Sequence, residues 1–327
     1  MEQESLMRAV NGVLLLDKPS GVTSNGVLQK VRKMYGAKKA GHTGSLDPSA
    51  TGMLPVCFGE ATKLCGYMLD AEKTYTVTAL LGVTTDTEDA DGEVLTTSEV
   101  PSITEQQMRE AVNSFHGEQM QRPPVYSAIK KDGVRSYKLA RDGVEVELES
   151  RAINVKEIAL TKFSDTTFSL KLRVSKGTYI RSIVRDIGEH FGCGAHVTDL
   201  RRLAVSPFDD NAMFSLEEIQ SAENADELLL ATDQVIADWR SIIVNDDTAF
   251  RFRNGSRPEY NEIKANTAEE LFRVYNAGNK FLGLGRVADG RLETVRLIGG
   301  QLNNNSPEAP EAPEASTTAG NSAGTSP

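Results

Sequence analysis

Apolar positions fall into two rhythms along this chain. Val13-Leu14-Leu15-Leu16 is a short continuous run, the pattern of a buried strand, and Asp17-Lys18-Pro19-Ser20-Gly21 ends it. Thr23 or Ser24 then stands where a helix cap belongs. Val27, Leu28, Val31 and Met34 follow on one helical face, with Lys30 and Lys33 on the other side. From Thr74 to Leu81 the period is two: Tyr75, Val77, Ala79 and Leu81 share one face, with Thr74, Thr76 and Thr78 opposite. Phe168, Leu170, Leu172 and Val174 repeat that alternation against Ser169, Lys171, Arg173 and Ser175. Ile180, Ile183, Val184 and Ile187 then recur at helical spacing, with Arg181 and Arg185 together on a different face. Capping boxes mark two further helix starts, Thr104 with Gln107 and Ser215 with Glu218. Ile103 and Met108 are placed as a hydrophobic staple, and Met108, Ala111, Val112 and Phe115 supply a buried face.

Around Ile242 the texture changes. Leu271 to Tyr275 and Phe281 to Val287 are short apolar runs set among Gly278, Gly283, Gly285 and Gly290, which reads as a small all-β module. From Asn303 the chain holds no aromatic or large aliphatic residue and is expected to be disordered. The 327 residues suffice for two domains. No run approaches the roughly eighteen apolar residues of a membrane span, and residues 1–10 lack the apolar core of a signal peptide.

The net charge of −10 argues against a nucleic-acid partner, but its distribution weakens that argument. Gly26 to Ala40 holds five basic residues and no acid. Arg122 to Arg141 holds six and one, and Leu170 to Arg202 seven and three. Local basic patches on an acidic chain fit a protein that grips RNA on one face, although any single run also reads as a solvated surface. The acid-rich segment Asp86 to Gly92 is expected to be such a surface. Cys57, Cys65 and Cys193 are odd in number and lack CxxC spacing, so they read as reduced core thiols. His42, His116, His190 and His196 have no metal-ligand spacing, and no zinc site is expected.

The chemistry centres on Gly41-His42-Thr43-Gly44-Ser45-Leu46-Asp47-Pro48-Ser49-Ala50-Thr51-Gly52. Its glycines permit tight backbone turns, and Pro48 biases Asp47 away from helical geometry. The stretch reads as a stiff loop holding one carboxylate. Asp47 and Glu60 are the only acids between Gly26 and Met68, while five basic residues come just before the loop. A carboxylate in a basic setting stays ionised, which suits a nucleophile or base. The alternative from spacing alone is an ordinary Asp-Pro turn.

This loop, with Met53-Leu54-Pro55-Val56 and Gly59-Glu60-Ala61-Thr62-Lys63 after it, resembles the catalytic loop of TruB-type tRNA pseudouridine synthases. Lys18-Pro19, Lys73-Thr74-Tyr75, Gly177-Thr178-Tyr179-Ile180-Arg181, Gly192 to Val197 and Leu200-Arg201-Arg202-Leu203 resemble further motifs of that family, in order. So does the segment Arg122 to Gly133, where the family often has Lys in place of Arg122. The resemblance covers roughly residues 11 to 300. It implies an α+β fold: a mixed, mainly antiparallel sheet with flanking helices, plus a small C-terminal all-β PUA-like domain. The implied organisation is a flexible start (1–10), a catalytic domain (11–240) with an RNA-gripping insertion near 124–151, a PUA-like domain (241–302) and a disordered tail (303–327).

The resemblance further implies isomerisation of uridine to pseudouridine in the T-loop of tRNA, at tRNA position 55. Asp47 is then the catalytic anion, attacking C1′ or removing the C2′ proton, and Arg181 pairs with it and keeps it ionised. Tyr75 stacks on the target base, where periodicity alone reads core packing. His42 takes the place of the flipped base, Tyr179 and Leu200 wall the pocket, and Lys18 belongs with the substrate-binding set that supports the loop. Tyr126, Lys130, Lys131, Arg135, Tyr137, Lys138 and Arg141 interleave aromatics and cations in a way that suits RNA phosphates and unstacked bases. Lys130 and Lys131 are expected to grip the tRNA. No cofactor or metal is expected, nor an obligate protein partner or a membrane. The expected state is a cytoplasmic monomer. The competing reading is a non-catalytic RNA-binding or tRNA-folding protein on the same scaffold.

Overall fold

A computed structural model describes residues 7–299 except Ala128, Asp132, Glu145 and Ala268. Residues 1–6 and 300–327, on which the expectations of a flexible start and a disordered tail fall, lie outside it. In chain order the first part comprises β1 (Gly12–Lys18), α1 (Ser24–Met34), β2 (Ala40–His42), β3 (Thr51–Phe58), α2 (Cys65–Met68), β4 (Lys73–Leu81), β5 (Val83–Thr85) and β6 (Val94–Thr97). Then come α3 (Glu105–Asn113), β7 (Gly117–Gln121), β8 (Lys130–Lys131), β9 (Val134–Arg135), α4 (Ser136–Arg141), β10 (Arg151–Phe163), β11 (Thr167–Val174), α5 (Ile180–His190), β12 (Ala195–Val205) and α6 (Leu216–Ser221). The last part comprises β13 (Ser241–Val244), α7 (Asp246–Arg253), β14 (Leu271–Asn276), β15 (Phe281–Ala288) and β16 (Arg291–Leu297).

The local signals act as chemistry requires. The Thr23 side chain accepts from the Gly26 amide and starts α1, which buries Val27, Leu28 and Val31. Both capping boxes form, at Thr104 with Gln107 and at Ser215 with Glu218. On β4 the apolar face of Tyr75, Val77, Ala79 and Leu81 is buried, and β11 buries Phe168, Leu170, Leu172 and Val174 beside it. These faces join Ile180, Ile183, Val184 and Ile187 of α5 in one core cluster.

Eight strands make the main sheet, in the order β1-β3-β12-β4-β11-β10-β7, with β2 also paired to β3. The fold is thus α+β, with a mixed and mainly antiparallel sheet. Its one parallel junction, β3 with β12, is only two residue pairs long: Arg201 with Thr51 and Arg202 with Gly52. Gly52 is obligatory there. Its φ is +99°, and a Cβ would sit 2.1 Å from the Arg202 carbonyl oxygen. The loop ahead of β3 therefore emerges where the sheet is narrowest.

Gln121, ending β7, pairs with Arg151, starting β10. Residues 122–150 consequently leave and re-enter at one end of the same strand pair, carrying the β8–β9 hairpin and α4. At the C-terminus, β13 to β16 form a separate four-stranded sheet with α7 packed on it. Its Tyr275, Phe281, Leu284 and nearby Ile298 share a buried cluster with Val13, Leu15 and Met53 of the main sheet. Lys63 donates to the Leu297 carbonyl at 3.1 Å and Glu60 accepts from the Gly299 amide at 2.6 Å, so polar bonds reinforce that seam.

Candidate active site

Loop 43–50 owes its stiffness to five anchors. The ammonium of Lys18 donates to the carbonyls of Pro19 (2.9 Å), Pro48 (3.0 Å) and Ala50 (2.6 Å). The Gly21 amide also donates to Pro48, at 2.9 Å. Ser20 Oγ donates to the Ser49 carbonyl at 2.9 Å. Ser24 Oγ accepts from the Leu46 amide at 2.8 Å and donates to its carbonyl at 3.0 Å. From the other side Arg202, 1% exposed, donates through Nη2 to the Gly44 carbonyl (3.1 Å) and through Nε to Met53 (2.7 Å). Asp47 is thus bracketed by fixed backbone on both flanks.

Lys18 cannot join a substrate-binding set. It is wholly buried with its donors turned to backbone carbonyls, so it positions the loop and does not meet RNA. Burial lowers its pKa from 10.5 to about 8, with the Asp47 charge pulling the other way.

Asp47 meets Arg181 as expected: Nε lies 3.0 Å from Oδ2. The arginine is 5% exposed and every nitrogen is engaged. Nη1 donates to the Thr87 carbonyl (2.6 Å) and lies 3.5 Å from Asp89 Oδ2, while Nη2 donates to the Tyr126 carbonyl (3.0 Å). Asp89 is itself held, its Oδ1 accepting from Thr87 Oγ1 at 2.6 Å and from the Asp91 amide at 3.1 Å. Two expectations therefore fail. Segment 86–92, the tip of the β5–β6 hairpin, is not simply solvated surface, because Glu88 and Asp89 turn inward onto α5. Nor is Asp47 the lone acid of its surroundings. Its pKa is raised, not lowered. Desolvation dominates, Arg181 opposes it, Asp89 raises it further, Lys18 opposes, and Asp91 adds to the rise. Its side chain is 39% exposed, and that exposed part faces a cleft set in surrounding protein.

The cleft is small, about 30 Å³, and is lined by Asp47, Ala50, Asp89, Arg181, Val197 and Leu200, among others. Leu200, expected to wall the pocket, lines this cleft. Tyr179 is half-buried at the N-cap of α5. Gln121 clamps its backbone, accepting from its amide (2.8 Å) and donating to its carbonyl (2.9 Å), and Arg151 stacks over its ring at 4.7 Å. Tyr75 is 7% exposed, shares a buried cluster with Leu46 and Ala50, and is not among the residues lining the cleft. His42 lies half-buried on β2, its pKa lowered by burial and by Arg202, which leaves it neutral at pH 7. Lys130 and Lys131 belong to the β8–β9 hairpin, and their side chains lie outside the described part.

Sequence reasoning missed Asp89, Arg202 and the polar tie from the insertion to Arg181. Charge matching could have found the first. Two arginines one turn apart at the start of α5 need more anion than one Asp, and Asp86 to Glu93 is the acid-rich segment at hand. Nothing local marks Arg202, which reads as a basic surface residue.

The chain matches three family descriptions in succession. TruB family pseudouridylate synthase (N terminal domain) covers residues 32–180, the tRNA pseudouridylate synthase B C-terminal domain 181–242, and pseudouridine synthase II TruB, C-terminal, 241–298. Among curated relatives, tRNA pseudouridine synthase B of Nitrosococcus oceani is 46% identical over 295 residues, covering 88% of this chain and 95% of the relative. That of Pseudomonas fluorescens strain Pf-5 is 45% identical over 302 residues, 90% and 97%. In fold, the chain resembles a solved Cbf5-Nop10-Gar1 complex at a TM-score of 0.71 and 22% identity, over 91% of this chain and 88% of that one. By these matches the chain belongs to the TruB family of pseudouridylate synthases.

Proposed function

We propose that this pseudouridine synthase acts on the T-loop uridine at tRNA position 55, with Asp47 as its catalytic anion. The observation that carries the reading is the Asp47–Arg181 pair lining a cleft that Leu200 and Asp89 also line. The reaction breaks the N1–C1′ bond, turns the uracil and rejoins it through C5, with the C5 proton lost and one gained at N1. Asp47 attacks C1′ or takes the C2′ proton, and either route needs the carboxylate form. A raised pKa makes that carboxylate a stronger base without displacing it from its arginine. Arg181 aims it and balances its charge.

The target base has to leave its folded loop, which costs a few kcal/mol. Neutral His42 fills the vacated place in the RNA, and Tyr179 and Leu200 wall the pocket. Stacking on Tyr75 returns about 1–3 kcal/mol. At 7% exposure the Tyr75 ring offers a base little surface, so stacking needs the neighbouring loop to shift once RNA is bound. The insertion, through Lys130 and Lys131, grips the T-loop and stem. The enzyme acts as a cytoplasmic monomer without an obligate protein partner. A pure RNA binder is disfavoured, since a carboxylate cluster beside phosphates repels RNA and serves no purpose without chemistry.

The test is Asp47→Asn. An isosteric amide fills the same space but is neither nucleophile nor base. Pseudouridine formation under single turnover should vanish, with tRNA affinity by filter retention within a few-fold. Substantial residual turnover, in a preparation free of parent enzyme, removes Asp47 from its role.

A further inference from the structure

A second ion pair lies one turn along α5 from the first. Arg185 Nη1 is 2.5 Å from Glu88 Oε1, and Ser182 Oγ donates to Glu88 Oε2 at 3.1 Å. The two side chains are only 13% and 14% exposed. Arg185 reaches further, donating through Nε to Asp186 Oδ1 at 2.8 Å and through Nη2 to the Arg122 carbonyl at 3.0 Å. Glu88 has φ +63°, a left-handed conformation that a glutamate adopts only when its surroundings enforce it. Its carbonyl accepts from the Val197 amide at 3.1 Å, so its backbone is pinned to the cleft wall while its carboxylate is pinned to α5. The next residue is Asp89, and the residue before it is Thr87, whose carbonyl accepts from Arg181.

We propose that Glu88 and Arg185 form a positioning device for the reaction: the pair fixes the hairpin tip so that Thr87 and Asp89 share Arg181 with Asp47, and it ties the root of the insertion at Arg122 to the same cluster. The proposal rests on Asp47 being the catalytic carboxylate. Two consequences follow if the tip drifts away from α5. Arg181 loses its 2.6 Å bond to Thr87 and its contact with Asp89, so the aim of Asp47 loosens. Asp47 also loses a neighbouring negative charge that raises its pKa. The charges that bear on Asp47 are Arg181 from α5, Lys18 from β1, and Asp89 and Asp91 from the tip. Withdrawing the tip removes only the two acids, so Asp47 ionises at lower pH. Glu88 itself has a pKa raised by burial against the pull of Arg185, Ser182 and Arg181.

The experiment compares the parent with Glu88→Gln, Arg185→Gln and the double variant in the full chain. Single-turnover pseudouridine formation is followed against pH, with tRNA affinity and the thermal midpoint measured alongside. Each single change should lower the plateau rate at least about tenfold, since displacements near 1 Å cost up to about 100-fold. Affinity should stay within about threefold. The double variant should lose no more than the worse single, as one shared interaction is removed. In all three the acid limb of the rate should move to lower pH, which loss of stability alone does not produce. A lowered midpoint with unchanged rate and acid limb would overturn the proposal. If the single variants fail to fold, the neutral Gln/Gln pair carries the test, and parent-like rate and acid limb there are equally fatal. Failure of the Asp47 reading is recognised separately, by turnover in Asp47→Asn.

Discussion

Lys18→Met tests whether the Asp47 loop is held from below by one buried charge. The ammonium makes three hydrogen bonds to carbonyls, two of them on the loop. Bonds to a charged group are worth about 1.5–3 kcal/mol each, so three amount to about 4–9 kcal/mol. Against this stands desolvation. Moving the pKa from 10.5 to about 8 costs the charged form about 3 kcal/mol, at about 1.4 kcal/mol per decade. Methionine fills a similar volume without a donor. It avoids the desolvation cost but leaves the Ala50 carbonyl without the 2.6 Å bond and weakens the hold on Pro48, which keeps only the Gly21 amide. The net loss is about 1–6 kcal/mol, which lowers the thermal midpoint by several degrees or more, at about 2–4 °C per kcal/mol. The loop would still form, through Ser20, Ser24 and Arg202, but with Asp47 less well fixed. Single-turnover rate should fall about 100-fold if the carboxylate moves by about 1 Å.

The pH dependence of stability gives an independent check. The folded pKa of Lys18 lies below its unfolded value, so between pH 8 and 10.5 the unfolded chain binds the proton that the folded one has released. The parent therefore gains stability as pH rises through that window, up to about 3 kcal/mol, and Lys18→Met lacks the gain. Lys73 also falls to about 8 by burial and Arg202, but it is present in both proteins and cancels in the difference. Urea melts at pH 7.5 and pH 10 suffice. Parallel pH profiles for parent and variant, or equal stability and rate at pH 7.5, would refute the reasoning.

Gly52→Ala should be among the most damaging single-methyl additions in the chain: the new Cβ would meet the Arg202 carbonyl at 2.1 Å with φ at +99°, at a junction two residue pairs long. Loss of soluble protein or a midpoint drop of many degrees is expected, and a parent-like melt would show that β3 and β12 can part without consequence. Lys130→Ala with Lys131→Ala should weaken tRNA binding most at low salt and flatten the log K against log salt slope by roughly 0.7–0.9 per lost phosphate contact, with chemistry on bound RNA little changed. An unchanged slope would mean that the insertion does not grip RNA through these residues.

Much of the scaffold was legible because its signals are local. The alternation of β4 and β11, the helical spacing on α5, the Thr23 cap and both capping boxes each need fewer than ten neighbouring residues to be read, and each formed. What was not legible depends on segments brought together from far apart. The five basic residues from Gly26 to Ala40 are not among the charges that set the pKa of Asp47. Apart from Arg181 and Lys18, the charges that reach it are Asp89 and Asp91, from a hairpin beyond β4. Arg202 is buried only because β12 runs beside β3 for two residues, which no pattern within Leu200 to Leu203 encodes. Tyr75 shows the converse: periodicity placed it inside, where it is, while its proposed stacking on a base needs an event that a free chain does not display.

The roots of the insertion meet the two arginines of α5 through two hydrogen bonds, and Arg181 in turn pairs with Asp47. Tyr126 accepts from Arg181 and Arg122 accepts from Arg185, both through backbone carbonyls, so the contact survives any change of side chain at those two positions. The segment that would meet RNA first thus shares its donors with Asp47, Asp89 and Glu88. A guanidinium that is 5% exposed with every nitrogen engaged has no slack: if either root carbonyl moves, Arg181 or Arg185 must give up another partner or follow. On the function proposed above, RNA docked on the insertion would bear on Asp47 through Arg181, which contacts both.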